Sequence, residues 1–288
     1  MFSIIIPTFN NLSYLKLCLK SLIDNSIFNH QIIIFINEGT DGTLQYVKDT
    51  KLKYFHSKKN IGLCKAVNQA STAVENKYLI YAHDDMCFCP GWDQEFKDEI
   101  SKHGQNDDFF LSGTMVQYFN GLIDLDCGKN PQTFNEKKLL NELPKIKYDN
   151  FQGTTWAPSL LPLKTWKKVN GFSEEYTFGL GSDPDLNMKL WLQGVRVFKG
   201  LGNCRVYHFS SVSLRKKAWN NGAKTFLKRW GISFKFFKKH YLQSMSKYEG
   251  PLSDPKKNIL YFYDLLITKL KYYYICLIDA LRYEKGNS

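Results

Sequence analysis

No apolar run in this sequence approaches the roughly 20 residues that a membrane-spanning helix needs, so no span is expected. The opening stretch MFSIIIPTFNN has no basic leader, and its apolar part is short and ends at Pro7, so no signal peptide is expected either. Cysteine is present but unpatterned. Seven residues, an odd number without regular spacing, do not make a disulfide framework. Cys87 and Cys89 stand two apart with no second pair to echo them, which argues against zinc. A reducing compartment is the simplest reading of the cysteines, and a cytoplasmic setting is expected. What is present is ordinary for a globular chain: 43% hydrophobic and 23% charged residues over 288 positions, long enough to bury a full core. The net charge of +12 is unevenly placed, because residues 196–288 hold 19 Lys and Arg against 5 Asp and Glu. The first 195 residues hold 20 against 22.

The first ninety residues alternate two periodicities. FSIIIPT, HQIIIFIN, KLKYFHS and KYLIYAHDD read as strands, and three helical stretches separate them. LSYLKLCLKSLIDN places Leu12, Leu15, Leu19 and Leu22 at helical spacing. TDGTLQYVKDT offers Thr40 or Asp41 as an N-cap. NIGLCKAVNQASTAVEN is the third helix. Strands alternating with such helices form right-handed βαβ units and a largely parallel sheet. Ligands of open parallel sheets bind outside the carboxyl ends of the strands. Those ends carry Pro7, Thr8, Phe9 and Asn10, then Asn37, Glu38 and Gly39, then His83, Asp84 and Asp85. Three polar clusters on one rim, one of them a carboxylate pair, predict a site there. That pair must be solvated, paired or holding a cation.

These stretches resemble a known family. SIIIPTFNN is similar to the opening strand and loop of a family 2 glycosyltransferase of the GT-A fold, and INEGTDGT to its second strand end, one residue shorter than the usual D-x-G-S-x-D-G-T. NIGLCKAVNQA resembles the family's N-x-G-x-x-x-A-x-N-x-G helix, and HDDMCFCPGW its metal-site strand end followed by P-G-W. GFSEEYTFGLGSDPDLNMKLWLQGVRV is similar to the acceptor-side stretch, usually G-G-F-D-E, E-D-x-D-L and R-x-x-x-x-G. Five motifs in order between residue 3 and about residue 210 make the match specific.

The resemblance implies a GT-A, Rossmann-like and mostly parallel sheet flanked by helices. It implies a nucleotide-sugar-binding and catalytic domain over residues 1–210, with a helical C-terminal region over 211–288. The implied activity is that of a metal-dependent, inverting hexosyl- or related transferase of polysaccharide biosynthesis. Its donor is a nucleotide-diphospho-sugar, a UDP-sugar first among them, and its acceptor is a hydroxyl of a glycan or lipid-linked glycan. A module that binds nucleotide sugars without transferring them is the alternative. A hard cation, Mn²⁺ or Mg²⁺, would neutralise the leaving diphosphate. In the family pattern the last Asp of an Asp-x-Asp triplet binds the metal, a position that falls on Asp85. His83 replaces the first Asp, and Asp84 fits between them, behind the metal or on the nucleotide. Pro7, Thr8, Asn10, Asn37, Glu38 and Asn60 fall at nucleotide-side positions. Val67 stands where the family often has Arg, which leaves phosphate contact to Lys65.

The Asp of E-D-x-D-L, the family's general base, falls on Asp183, with Ser182 in place of the usual Glu. Asp185 supports the loop or touches the acceptor. Both carboxylates precede a helical run, where capping is the plainer reading. In related enzymes a His after the strand CRVYH completes the metal site, and here that residue is His208; a satisfied surface or core histidine is the alternative. Trp156 is placed to stack on a sugar face or to fill core.

After residue 210 the composition changes. LRKKAWNNGAKTFLKRWGISFKFFKKHYL interleaves Lys and Arg with aromatics at helical spacing, and NILYFYDLLITKLKYYYICLIDALRYE is a second helix. GPLSDPKKN between them is a loop. Packing on the catalytic domain is one reading of this tail, and peripheral contact with an anionic membrane inner face is another. Nucleic acid is not expected, since basic charge permits it but no motif supports it.

Overall fold

The structure, a computed structural model, describes residues 1–104, 107–177, 179–210 and 222–286, with side chains up to residue 281. Its ten strands are β1 (Ser3–Phe9), β2 (Gln31–Asn37), β3 (Lys53–Ser57), β4 (Tyr78–Tyr81), β5 (Met86–Phe88), β6 (Phe109–Gln117), β7 (Ile123–Asp124), β8 (Phe151–Gln152), β9 (Ser159–Pro162) and β10 (Val197–His208). The helices are α1 (Leu12–Asp24), α2 (Thr43–Asp49), α3 (Leu63–Ser71), α4 (Trp92–Lys102), α5 (Glu136–Glu142), α6 (Leu163–Lys168), α7 (Ser182–Leu192), α8 (Gly222–Trp230), the single turn α9 (Phe234–Phe236) and the long α10 (Ile259–Gly286).

The strands form one sheet in the order β3-β2-β1-β4-β9-β6-β10-β5, with β7 beside β6 and β8 beside β10. The first four strands are parallel to one another, as their βαβ pattern requires, and β6 is parallel to β10. Strands β9, β5 and β8 run against their neighbours. The sheet core is built from the branched runs, Ile4–Ile6 and Ile33–Ile34 among them, each with no measurable exposure. Helix α1 covers one face with Leu15, Cys18, Leu19 and Leu22, close to the spacing expected of it.

The strand order reverses at β1, and there the sheet opens. Pairing of β1 with β2 runs to Phe9 opposite Asn37, but pairing with β4 ends at Ile5 opposite Tyr81. Strand pairing between β1 and β4 therefore stops at Ile5, which leaves a gap between the two strands beyond it. Pro7, which has no N–H to offer, sits in that gap and sacrifices no ladder bond. A topological switch point of this kind is where doubly wound sheets bind ligands.

Two local expectations change. The residue flanking α2 is Gly42, not Thr40 or Asp41. Asp41 acts from one position further back, accepting from the Thr43 N–H at 3.1 Å and from the Leu12 N–H at 2.9 Å, so one carboxylate ties the starts of α2 and α1. The first tail segment is not one helix either. Its residues 211–221 lie outside the described residues, α8 ends at Trp230 with Gly231 in left-handed backbone just after it, and a wide turn over Phe237–Tyr241 follows α9. Phe226, Ile232, Phe236, Phe237, Leu242 and Tyr261 of this region belong to the same hydrophobic core as the sheet. All seven cysteines are unpaired.

Candidate active site at the switch point

The end of β4 and the end of β10 bring three ligand-bearing side chains together. Asp85 lies at 4% exposure, and its Oδ1 is 3.3 Å from His208 Nε2 and 3.9 Å from His83 Nδ1. One ligand atom from each residue falls within 4.8 Å of the other two. Burial opposes charge on His208, but the Asp85 carboxylate beside it outweighs that and raises the imidazole above its ordinary value. His83 goes the other way, down to about 4, because burial dominates and the Asp85 attraction does not compensate. One carboxylate oxygen with two ring nitrogens could hold a divalent transition-metal ion and is a poorer set for Mg²⁺, which favours oxygen ligands. His83, which replaces the first Asp of the triplet, thus stands with Asp85 and His208 in a group that could hold a cation.

Gln117 was not anticipated. From the end of β6 its side-chain amide lies 2.9 Å from His208 Nδ1 and also bonds the Ser210 hydroxyl, so the ring nitrogen facing away from Asp85 is held; when His208 Nε2 is unprotonated, Nδ1 carries the proton and donates to the amide oxygen. No sequence signal marks it, because β6 is 91 residues from His208.

Asp84 points toward the opening beside β1. Burial first, then the neighbouring Asp85 charge, push its carboxyl above the usual range, against the opposing effect of the Thr8 and Asn11 side chains beside it. On the far side of the rim Asn10 and Glu38 both adopt left-handed backbone, with φ of 45° and 62°. This turns their side chains together, the Asn10 amide donating to Glu38 Oε2 at 3.2 Å while its oxygen accepts from the Thr40 N–H at 2.8 Å. Asn37 differs from the expectation of a nucleotide contact. It is 3% exposed, and its side-chain oxygen accepts from the Ile61 N–H at 3.0 Å, so it fastens the β3–α3 loop to the end of β2. Asn60 is exposed and accepts from the Gly62 N–H at 2.9 Å, and Lys65 is exposed on the first turn of α3.

Helix α3 joins the β1–β3 rim to the stretch that precedes α7. Asn68 donates to the Phe172 carbonyl and accepts from the Phe172 N–H, both at 2.9 Å, while the Leu63 N–H donates to the Thr177 carbonyl at 2.9 Å. Gly62 has φ +85°, and a Cβ there would lie 2.2 Å from the Thr177 oxygen, so glycine is required for this approach.

Asp183 and Asp185 open α7 with different surroundings. Asp183 is half-buried, and burial pushes its carboxyl up to about 7. Asp185 has no exposure and accepts from Ser173 Oγ at 2.5 Å, Trp230 Nε1 at 2.8 Å and Tyr176 OH at 3.3 Å, with Arg229 Nε at 3.4 Å. Its oxygens are engaged by the protein, so of its two expected roles the geometry gives it support of the loop and not contact with an acceptor. Trp156 is likewise anchored, its indole N–H donating to the Gly113 carbonyl at 3.1 Å and its ring stacked 5.5 Å from Phe151. Tyr81 feels the carboxylates of both regions. This buried phenol is raised well above its ordinary value by burial and by the charges of Asp183, Asp85 and Asp84 together.

Residues 3–155 match the family model described as glycosyl transferase family 2. The chain belongs to that family. Among curated proteins, an uncharacterized glycosyltransferase of Rickettsia conorii, RC0461, is 29% identical over 125 residues, which is 41% of this chain and 19% of that protein. Among solved structures, S. aureus TarS 1-349 aligns with a TM-score of 0.55 and 19% identity over 72% of this chain and 60% of its own. GalNAc-T7 with UDP, GalNAc and Mn²⁺ aligns with a TM-score of 0.58 and 13% identity over 84% of this chain and 50% of its own. At such identities the two structures speak for the fold, which is the GT-A fold read from the motifs. The chain thus spans less than two thirds of each of these relatives. Its family is one of glycosyl transferases.

Proposed function

We propose that this chain is a metal-dependent, inverting glycosyltransferase that moves a sugar from a nucleotide-diphospho-sugar, a UDP-sugar, to a hydroxyl of a glycan or lipid-linked glycan. The observation that carries this reading is the convergence of Asp85, His83 and His208 at the switch point. TarS has been crystallised with UDP-GlcNAc, and GalNAc-T7 with UDP, GalNAc and Mn²⁺, which supports a nucleotide-sugar donor and a cation.

Asp85, His208 and His83 would hold the cation, with Gln117 fixing the His208 ring. A divalent cation bound there neutralises charge on the departing diphosphate. Asn10, Glu38 and Thr8 line the opening beside β1, where base and ribose fit, and Asp84 borders the same opening. In this reading the acceptor hydroxyl attacks the anomeric carbon opposite the sugar–phosphate bond, which breaks as the new bond forms. Asp183, raised to about 7 by burial, takes the hydroxyl proton. Asp185 holds the loop that carries Asp183, and Trp156 supports the wall behind it. The C-terminal helices, in contact with a cytoplasmic membrane face, would keep the site near lipid-linked acceptors.

The test is a panel of nucleotide sugars with Mn²⁺, reading released diphosphate. Wild type is expected to turn over one donor, and Asp85→Asn to lose that turnover. Mn²⁺ at a hundredfold excess over its Kd should stabilise wild type by about 2.7 kcal/mol and leave the variant unchanged. Equal stabilisation of both proteins would remove the cation from this site.

A further inference from the structure

Helix α10 has two unlike faces. The inner face docks on α8 and α9: Tyr261 and Thr268 are buried, Asp264 pairs with Lys239 at 2.6 Å and His240 at 2.7 Å, and Asp279 pairs with Lys224 and with Lys228 at 3.0 Å. The outer face is apolar and uncovered. Tyr263, Leu266, Leu270, Tyr273, Tyr274 and Leu277 recur every three or four residues along it, each between 58% and 65% exposed. At 1.5 Å per residue the stripe from Ile259 to Leu281 is about 33 Å long. A hundred degrees per residue sets Lys269 and Lys271 at its two edges, and Lys256 and Lys257 are exposed just before the helix begins. Both aspartates of α10 within the described residues are on the inner face and paired with cations.

We propose that this face is an interfacial membrane-binding surface: α10 lies in the plane of an anionic bilayer, with its Leu, Ile and Tyr side chains in the headgroup–acyl boundary and its lysines on lipid headgroups. Three observations favour this occupant. No helix among the described residues is long and apolar enough to cross a membrane, so the stripe can lie on one but not span it. Tyrosines mixed with aliphatics suit the boundary, where a ring is wetted at one end and apolar at the other. The rim charges are basic, which an anionic lipid surface complements, whereas a second copy packed stripe to stripe would set lysines of both copies along one seam without carboxylate partners. The proposal is independent of the transfer chemistry, because its readout is binding to lipid.

The experiment is co-sedimentation of the full chain with vesicles of phosphatidylcholine, with and without phosphatidylglycerol. Wild type should bind the anionic vesicles, bind pure phosphatidylcholine less, and release as salt rises. Leu270→Glu or Leu277→Glu alters an exposed position, so the fold should persist by circular dichroism, and each lost leucine should weaken partition by about tenfold. Lys269→Gln with Lys271→Gln should weaken it by about fivefold per lysine and flatten the salt dependence. Absence of wild-type binding overturns the proposal, as does binding that both leucine variants retain. A concentration-dependent dimer in ultracentrifugation, abolished by the same leucine variants, would give the face to a second copy and also overturn it.

Discussion

Asp183 and Asp185 are two residues apart on one helix start, and their environments assign them different work. Asp185 is saturated by Ser173, Tyr176, Trp230 and Arg229. Asp183 is raised to about 7 by burial, although a helix N-terminus ordinarily favours the charged carboxylate. Asp183→Asn keeps the shape and removes the base, so transfer should fall by about 10²–10⁴-fold with donor affinity unchanged. The pH dependence has a definite sign. A folded carboxyl near 7, against about 3.8 when unfolded, gives stability that is fully present below pH ~4 and lost as pH rises through 7. Relative to wild type, Asp183→Asn should therefore gain melting temperature between pH 4 and pH 8, while kcat/KM of wild type falls below about pH 7 and that of the variant loses this limb. A variant with no gain in melting temperature at pH 8 would show that the carboxylate is not held under strain by its burial.

Elements, more than single residues, explain what was legible in advance. The strand ends bearing Pro7, Asn10, Glu38 and Asp85 declare themselves because a parallel sheet forces consecutive βαβ strands to share one rim. Asp85 with His208 was readable through the family motifs. Gln117 was not, since only the parallel pairing of β6 with β10 brings its amide to that ring. Asn37 misleads for a related reason: a polar residue at a strand end looks like a ligand contact until the fold supplies it with the Ile61 N–H. The stretch FLKRWG reads as basic amphipathic helix, yet Trp230 and Arg229 turn inward to Asp185, 45 and 44 residues away in sequence. Helix α8 therefore braces α7. Trp230→Phe leaves a buried carboxylate short of one donor and should cost about 1–3 kcal/mol of stability. Because the loop it loosens carries Asp183, kcat should fall while the KM for donor stays level. A drop in donor affinity instead would place the brace on the nucleotide side.

At the scale of the whole molecule the two proposed surfaces are mechanically joined. Helix α10 docks on α8 through the Asp279 pairs and on α9 through Ser233 and Asp264, while α8 in turn holds the α7 carboxylate two residues from the proposed base. A bilayer under α10 would thus be linked through α8 to the loop that carries the proposed base. Removing the tail would not isolate this effect, because Leu252 and Tyr261 are part of the common core and truncation would expose it. Surface substitution does isolate it. With a lipid-linked acceptor in anionic vesicles, confinement to the same surface raises the effective concentration of acceptor, and transfer should exceed that in neutral vesicles by on the order of 10²-fold. Leu270→Glu should abolish that difference and leave metal-dependent donor hydrolysis in solution unchanged, since residue 270 lies on the outer face of α10. Equal transfer from neutral and anionic vesicles by the wild type would separate the apolar stripe from acceptor delivery, leaving α10 to bind membrane for some other purpose.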